Sequence, residues 1–422
     1  METITLTKTL TAKKHYDIIV CGGGVAGCAA AVTAAKRGKS VLLLEKSNVL
    51  GGLATLGLIN YFVPMCNGRG KQIIFGLAEK WLRDSAKYGW DTIPEPWRDG
   101  EPKEPTLYRY VQRYSANIFA LQLTEEITNS GVDLLFDIIA TQPVMDGKVC
   151  KGVITQSKGG QEYYTCNMLL DVTGDCDVLR AGGVPTVAGK NYYIYVGKAI
   201  TLDTCKVAVE KGDIGKAITN VCGGVVNLFG DKQPEDIPLW SGLTAEEVTD
   251  YLVRNQRHML ERIKPTDRKS REVVTLPGMP QFRTTCRLDG DYTLKVSDIY
   301  KHFDDSIGAI NDFEHRDHLF EVPLRTICRK DYPNILTAGR SASGEGYAWD
   351  CLRVIPPAII TGQSAAEVAC LAIDTGVAVS NVDIKTLHKK LEEDNIMVHF
   401  PDSYVPEDKT VVIHGVCQNG HF

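Results

Sequence analysis

A run of glycines near the start of the chain has the spacing of a phosphate-binding turn. Gly22, Gly24 and Gly27 form a G-x-G-x-x-G pattern directly after the apolar run that includes Val20. The first glycine permits a tight turn, the second lets backbone approach a pyrophosphate, and the third lets a helix pack closely on a strand. Glu45 follows eighteen residues after Gly27, where a carboxylate can accept hydrogen bonds from both ribose hydroxyls. The pattern predicts a strand–helix–strand unit that binds a dinucleotide, and a glycine-rich turn without a ligand is the weaker alternative.

A second pair of glycines indicates which dinucleotide is bound. Gly51 and Gly52 begin six residues after Glu45, and Ala54 and Thr55 follow them. This segment resembles the second glycine motif of two-domain flavoproteins, which lies against the pyrophosphate and ribityl chain of FAD. The resemblance favours FAD over NAD, and we expect the FAD to be bound non-covalently.

The elements that must position these residues follow from the hydrophobic pattern. Residues 107–129, 243–263 and 358–375 are predicted to be helices. Extended segments between residues 132 and 165, separated by glycine-containing turns, predict a three-stranded β-meander. The expected fold class is α/β: a Rossmann-like FAD-binding domain with a parallel sheet plus the meander, and an inserted α+β substrate domain. The predicted divisions are residues 1–185 with 326–400 for the FAD-binding domain, 186–325 for the substrate or cap domain, and 401–422 for a C-terminal tail.

The motifs together resemble one known family. Residues 338–340 read AGR, residues 353–356 read RVIP and residues 362–363 read GQ. The chain is therefore similar to the bacterial FAD-dependent oxidoreductases with a terminal "AGR…RV.P…GQ" segment, which are related in fold to glutathione-reductase-like flavoproteins. From the motifs and this resemblance together we predict FAD contacts from Gly22, Gly24, Val25, Ala26, Gly27, Glu45, Lys46, Gly51, Gly52, Ala54, Thr55, Ile139, Thr173, Gly174, Asp175, Gly339, Arg340, Arg353 and Ile355.

The candidate catalytic residues lie in the second half of the chain. The resemblance implies that Arg283 and Arg325 lie near the substrate face, where arginine can orient a carboxylate or stabilise an enolate-like charge. Many family members carry a histidine after the AGR segment, where this chain has Gly346. A mechanism that relies on that imidazole, as a base or as a covalent flavin anchor, is therefore in doubt here. His302, His315 and Tyr347 are the remaining candidates for proton transfer.

The chain has one dinucleotide fingerprint and no Cys-x-x-Cys pair, which predicts direct hydride transfer between flavin N5 and a small polar metabolite. A separate electron donor or acceptor would complete the cycle, and the direction of the reaction stays open. Two alternatives remain. One is an electron-transfer subunit or an assembly or modification factor. The other is a peripheral membrane enzyme with a lipid substrate, suggested only by the apolar residues 56–65.

Composition narrows the partners. The net charge of −5, with no block of basic residues, argues against a nucleic-acid partner. The uncharged residues 47–68 are interrupted by glycines, asparagines and a proline, so we expect a buried loop and no transmembrane segment. The N-terminus lacks the apolar core of a signal peptide and the thirteen cysteines are scattered, which predicts reduced thiols in a cytoplasmic protein. His315 and His318 have helical spacing but no third ligand nearby in sequence, so no metal site is expected. A homo-oligomer is compatible with the sequence.

Overall fold

The computed structural model describes residues 2–5, 7–409, 411 and 413, so the predicted tail 401–422 lies partly outside the described residues. The strands are, in chain order, β1 (Ala12–Cys21), β2 (Val41–Glu45), β3 (Tyr61–Phe62), β4 (Gln112–Arg113), β5 (Asp133–Phe136), β6 (Ile139–Asp146), β7 (Val149–Ser157), β8 (Gly160–Asp171), β9 (Thr186–Ala188), β10 (Ile194–Thr201), β11 (Thr219–Val225), β12 (Arg271–Thr275), β13 (Cys286–Leu288), β14 (Ser306–Asn311), β15 (Leu319–Pro323) and β16 (Ile335–Thr337). The α-helices are α1 (Val25–Lys36), α2 (Gly76–Lys87), α3 (Ala116–Asn129), α4 (Asp177–Ala181), α5 (Leu202–Lys211), α6 (Ala245–Ile263), α7 (Gly346–Arg353), α8 (Ile355–Thr375) and α9 (Ile384–Glu393).

The largest sheet is parallel around strand β1. β1 pairs in parallel with β2 on one side and with β8 on the other, while β5 extends the sheet beyond β2 and β16 pairs with β8. The first half of β8 also pairs with β7, and β7 with β6, both antiparallel. This arrangement confirms the predicted α/β class, including the parallel sheet and the β-meander. The carboxyl ends of β1, β2, β8 and β16 therefore lie along one edge, where ligands of open parallel sheets bind.

Small residues let two helices cover one face of this sheet. All the residues from Val25 to Ala34 of α1 are buried, and most of them are small. Helix α8 crosses α1 so closely that a Cβ at Gly362 would lie 2.2 Å from the carbonyl oxygen of Ala26. A side chain at this position would force the two helices apart, so the glycine is required by packing.

A smaller three-stranded antiparallel sheet forms a second layer. Its order is β11-β10-β12, and helix α6 packs against it. Helix α6 begins two residues later than predicted, because the Thr244 side chain caps it by accepting the backbone N–H of Glu247. Tyr193 and Tyr195 are buried in the core of this layer. The hairpin β14–β15 instead packs beside α8 and α9, and the predicted domain boundaries stay predictions.

The helix predicted over residues 107–129 begins only at Ala116. Residues 107–115 are extended, and they include β4. The physical reason is that Tyr110 and Tyr114 are fully buried, with Tyr110 stacked on Trp97 at a ring distance of 4.8 Å. Their spacing of four residues has the period of a helix, although it arises from a buried loop. The helix predicted over residues 358–375 is α8, which begins three residues earlier, at Ile355.

Among the described residues, no single helix is both long and apolar enough to cross a bilayer. Helices α7 and α8 meet the requirement only when taken together, and that pair is bent by 77°. Residues 347–352 of α7 and residues 355–372 of α8 are buried within the protein itself.

Candidate functional site

The first glycine turn has open backbone where a phosphate group must approach. At Gly22, φ is 110° and an added Cβ would lie 2.6 Å from the carbonyl oxygen of Val172. At Gly27, an added Cβ would lie 1.9 Å from the carbonyl oxygen of Gly22. At Gly24, in contrast, no atom lies within 4 Å of the added Cβ. Helix α1 begins at Val25 without a side-chain cap, so no side chain accepts the N–H groups of its first turn, which are of the kind that bind anions.

Glu45 lies beside this turn at the end of β2 and is buried. Its Oε2 accepts the backbone N–H of Gly23 at 2.7 Å, and its Oε1 accepts the backbone N–H of Ser47 at 2.7 Å. Each carboxylate oxygen keeps a second lone pair, which suits the acceptance of ribose hydroxyls. The predicted neighbours Lys46 and Ile139 both have exposed side chains.

The second glycine motif contacts the first directly. The backbone N–H of Gly51 donates to the carbonyl oxygen of Gly23 at 2.8 Å, and an added Cβ at Gly52 would lie 3.2 Å from the Cα of Gly24. Both Gly51 and Gly52 have positive φ, of 100° and 55°. Ala54 and Thr55, which follow them, are buried. The structure therefore brings together two motifs that lie nearly thirty residues apart in sequence.

Arg340 joins the later cofactor segments to each other. Its Nε donates to the carbonyl oxygen of Gly174 at 2.8 Å, and its Nη2 forms an ion pair with Asp175 at 2.8 Å. Its Nη1 donates to the carbonyl oxygen of Phe282. The indole N–H of Trp349 donates in turn to the carbonyl oxygen of Arg340 at 2.8 Å. One buried guanidinium thus places the predicted cofactor segments directly beside the residue that precedes Arg283.

The end of β8 carries a buried carboxylate that the sequence analysis did not single out. The hydroxyl of Thr173 donates to Asp171 at 2.7 Å, and the other oxygen of Asp171 accepts the N–H groups of Val178 and Leu179. Burial raises the pKa of Asp171 to about 6. Asp171 therefore holds Thr173 and the start of α4 in place. On the other side of the sheet end, Gly339 (φ 63°) donates its N–H to the hydroxyl of Thr361 at 2.9 Å.

Arg283 is a half-buried cation without a carboxylate partner. Its Nη1 donates to the carbonyl oxygen of Val226 at 3.2 Å, and among the described residues no carboxylate oxygen lies within 4 Å of its guanidinium. Desolvation and the nearby charge of Arg353 lower the pKa of Arg283 to about 10, against the opposing effect of Asp350. Arg353 itself is paired with Asp350 at 2.7 Å. Arg283 is therefore a cation in this region that is available to an anionic ligand.

A buried hydrogen-bond network surrounds the hydroxyl of Tyr347. This hydroxyl donates to Oδ1 of Asp312 and lies 3.2 Å from Nδ1 of His315. His315 Nδ1 also contacts Oδ2 of Asp312 at 2.8 Å. Burial and the charge of Asp312 raise the pKa of Tyr347 far above its ordinary value. Burial alone would lower the pKa of His315, but the hydrogen bond and charge of Asp312 outweigh it, and the pKa is raised.

His318 completes this network through the same carboxylate. Its Nδ1 lies 3.2 Å from Oδ2 of Asp312, so Asp312 is the third ligand-type residue that sequence spacing did not reveal beside His315 and His318. Asp312 also accepts the N–H groups of Glu314 and His315, which brings its hydrogen bonds from protein groups to five. Burial acts to raise its pKa, yet these bonds hold it well below its ordinary range. These five hydrogen bonds satisfy the carboxylate of Asp312 without a bound cation.

The network and Arg283 belong to one polar region. The charge of Glu314 acts on both Arg283 and Tyr347. It adds to the raised pKa of Tyr347 and opposes the lowering of the pKa of Arg283. Phe229 stacks on the ring of Tyr347 at 5.6 Å. Tyr347 lies in helix α7, directly between the predicted cofactor residues Arg340 and Ile355. The guanidinium of Arg283 and the hydrogen-bonded pair of Tyr347 and His315 thus border the segments that are predicted to hold the cofactor.

His302 and Arg325 lie elsewhere. His302 contacts Glu321 and Asp402, and Arg325 forms an exposed ion pair with Asp305 at 2.9 Å. In the described part of the chain, neither contacts Arg283 or Tyr347, because their side chains are drawn to carboxylates of other segments. These contacts give no support to a catalytic role for His302 or Arg325. That role stays a prediction. Sequence reasoning missed Asp171 and Asp312, and the only signal for Asp312 was its spacing of three residues from the candidate His315.

Comparisons with known proteins agree with the cofactor assignment. A family model described as "FAD dependent oxidoreductase" matches residues 17–222 and 232–391. A digeranylgeranylglycerophospholipid reductase 1 of Methanococcoides burtonii is 42% identical over 266 residues, which cover 58% of this chain and 60% of that protein. A digeranylgeranylglycerophospholipid reductase of Methanoculleus marisnigri is 24% identical over 179 residues, covering 42% and 43%. The chain thus spans roughly two fifths to three fifths of the length of these relatives.

Solved structures give weaker similarity. A geranylgeranyl bacteriochlorophyll reductase-like protein from Thermoplasma acidophilum has a TM-score of 0.47 and 14% identity, covering 90% of this chain and 84% of that one. The p-nitrophenol 4-monooxygenase from Pseudomonas putida has a TM-score of 0.48 and 15% identity, covering 90% and 84%. At this level of similarity, neither structure bears on the substrate or the reaction.

Proposed function

The chain belongs to the FAD dependent oxidoreductase family, and we propose that it reduces a small substrate that carries an anionic or strongly polar group. The observation that carries this proposal is Arg283, a half-buried guanidinium with no carboxylate within 4 Å in the described residues. A buried cation without a counter-charge is costly, so binding of a substrate anion would stabilise it. The fold holds Arg283 beside the cofactor segments through the bond from Arg340 to Phe282.

The residues around Tyr347 favour the reductive direction. FAD, when bound by the glycine turns and Glu45, supplies hydride chemistry at its flavin ring. Saturation of a polarised C=C bond needs one hydride and one proton. The raised pKa of Tyr347 keeps its hydroxyl protonated near neutral pH, and the raised pKa of His315 favours the protonated imidazole, so this pair can hold the proton and Asp312 can orient it. Solvent would then reprotonate the pair.

A lipid substrate is the second candidate. It is favoured by the two relatives named as reductases of a digeranylgeranylglycerophospholipid, one of which is 42% identical over 58% of this chain. A phospholipid also carries an anionic phosphate, for which Arg283 is an equally suitable partner. The two candidates therefore share a cation site and differ in the apolar length of the substrate.

Anaerobic reoxidation of the reduced holoenzyme tests the proposal. We would reduce the bound flavin chemically and mix it with a panel of short α,β-unsaturated acids, their uncharged amides, and a polyprenyl phospholipid in detergent. The proposal expects the visible absorbance of oxidised flavin to return with an acid and much more slowly with the matching amide. Recovery with the phospholipid alone would identify the lipid candidate.

Two further outcomes would count against this function. If the oxidised enzyme is bleached by alcohols or amines while no unsaturated compound reoxidises it, the reaction runs in the opposite direction. If no compound exchanges electrons and a second protein remains bound through purification, an electron-transfer subunit is the better description. The Arg325→Gln variant serves as a matched control, because it removes an exposed arginine outside the proposed site.

A further inference from the structure

A second cluster of ligand-type side chains lies away from the cofactor segments. It consists of His302, Glu321 and His399, which we name the distal cluster. His302 Nδ1 lies 2.6 Å from Glu321 Oε1, and His399 Nδ1 lies 3.0 Å from Glu321 Oε2. The donor atoms of the three residues all lie within 4.8 Å of one another. Two imidazoles and one carboxylate converge here from three separate parts of the chain.

Glu321 is the unusual member of the distal cluster, because its side chain is fully buried on β15. Its other bond is from the backbone N–H of Phe303 to Oε2 at 2.8 Å. In the described part of the chain, no lysine or arginine pairs with it, and its only charge partners are His302 and His399. A buried carboxylate requires a counter-charge. If both imidazoles are neutral, the counter-charge of Glu321 must come from a bound cation.

Two further donors border the distal cluster. Asp402 Oδ1 lies 3.1 Å from Nε2 of His302. The ring of His388 lies 5.1 Å from the ring of His399, and its Nε2 is buried without a hydrogen-bond partner among the described residues. His388 can therefore supply a further imidazole ligand at the edge of the distal cluster.

The backbone around the distal cluster is held in place before any cation binds. The N–H of Ala309 donates to the carbonyl oxygen of Met397, and the hydroxyl of Ser306 donates to the carbonyl oxygen of Val398 at 2.7 Å. Both bonds fix the segment that carries His399 against β14. A cavity of about 640 Å³, lined by His388, His399 and Arg325 among others, gives solvent access.

We propose that His302, Glu321 and His399 bind a divalent transition-metal cation of the Zn²⁺ type, with His388 or a water molecule as a fourth ligand, while Asp402 holds the other ring nitrogen of His302. Nitrogen and carboxylate donors of this kind are usual for Zn²⁺. Bonds of roughly 2.0 Å in a tetrahedral site place ligand atoms about 3.3 Å apart. The donor pairs, at 2.6 and 3.0 Å, need to separate by less than about 1 Å. The cation would link the segment that carries His399 to the hairpin β14–β15. This role would be independent of the oxidoreductase reaction.

The competing explanation is a purely hydrogen-bonded cluster. His302 has a carboxylate at each ring nitrogen, so a protonated His302 would also satisfy Glu321 and Asp402. Metal binding separates the two explanations. The holoenzyme would be treated with chelator, dialysed, and titrated with Zn²⁺ by calorimetry, with the His302→Gln/His399→Gln variant compared with the wild type.

Three controls make the titration specific. His258→Gln removes an exposed histidine that stacks on Tyr193, outside the distal cluster. His315→Gln/His318→Gln removes the other buried group of ligand-type residues. Titration with Co²⁺ distinguishes cysteine ligands, since thiolate ligation gives charge-transfer absorbance that nitrogen and oxygen ligation does not.

We expect one Zn²⁺ site per chain. Zn²⁺ binding should be lost or weakened at least tenfold in the His302→Gln/His399→Gln double variant and unchanged in the His258 and His315/His318 variants. Flavin absorbance of the double variant should stay at the wild-type value, which shows that it has folded. If it does not fold, the single His399→Gln variant should show the same weakening. Absence of Zn²⁺ binding by the wild type, or full retention of the site in the double variant, would overturn the proposal. Thiolate absorbance with Co²⁺ would do so as well.

Discussion

The Gly24→Val variant should weaken FAD binding with little effect on the stability of the fold. Gly24 has φ −64° and ψ 174°, which any residue adopts, and no atom lies within 4 Å of an added Cβ. Replacement of an N-cap glycine costs about 1 kcal/mol, and the lower entropy of the unfolded chain returns about 0.4–1 kcal/mol. The free energy of unfolding of the apo-protein should therefore change by less than about 1 kcal/mol.

The same change should be severe for FAD. In the predicted cofactor site, the open space at Gly24 is where backbone would approach the pyrophosphate, and a valine side chain would fill it. Loss of one or more charge-assisted hydrogen bonds to the phosphates costs about 1.5–3 kcal/mol. That loss corresponds to a dissociation constant for FAD about 10- to 150-fold higher. Quenching of FAD fluorescence during titration of the apo-protein measures it.

Two other glycines provide the comparison. In Gly27→Ala the new Cβ would lie 1.9 Å from the carbonyl oxygen of Gly22, so overpacking should lower apo-protein stability by about 1–3 kcal/mol. In Gly159→Ala the nearest atom is the hydroxyl oxygen of Ser157 at 3.4 Å, and neither stability nor FAD affinity should change. Wild-type FAD affinity in Gly24→Val would refute the assignment of this turn to the pyrophosphate.

Three further predictions concern the proposed active site. Arg283→Gln should raise the KM for an anionic substrate at least tenfold with little change in flavin content, whereas Arg325→Gln should leave the KM within twofold; equal effects would contradict the assignment. Tyr347→Phe should lower kcat at least tenfold and leave FAD affinity unchanged, since it removes only the hydroxyl proton. Because the pKa of His315 is raised on folding, its contribution to stability is complete below the unfolded pKa of about 6.5 and is lost as pH rises through the folded value. Chemical denaturation across that range should show this loss in the wild type and not in His315→Gln.

The geometry of the glycine turn and of Glu45 could be predicted from sequence because it is local, whereas their contacts with FAD stay a prediction. The requirements at Gly22, Gly24 and Gly27 come from a single turn, and Glu45 ends the strand that pairs with β1. The same holds for the α/β class, which follows from alternating apolar strands and helices. The start of α3 was misplaced because Tyr110 belongs to a buried loop whose spacing resembles that of a helix.

The proposed active site could not be assembled from sequence in the same way. Asp312 and Tyr347 lie thirty-five residues apart, and their contact depends on how the hairpin β14–β15 packs beside α7 and α8. Gly346 occupies the position of the family histidine, and the structure shows that the nearest imidazole to Tyr347 comes instead from His315. His302 was a reasonable candidate by residue type, but its partners Glu321 and Asp402 are set by tertiary packing.

The central claim is that one FAD binds to the glycine turns with its redox ring toward the region of Arg283 and Tyr347. Titration of the apo-protein with FAD, followed by visible absorbance and by reoxidation with an unsaturated acid, tests it most directly. The account predicts one FAD per chain and, at acid concentrations below KM, reoxidation that is at least tenfold slower in Arg283→Gln while the bound FAD remains. An apo-protein that is colourless after excess FAD has been removed would contradict the cofactor site. Undiminished reoxidation in Arg283→Gln would contradict the placement of the substrate.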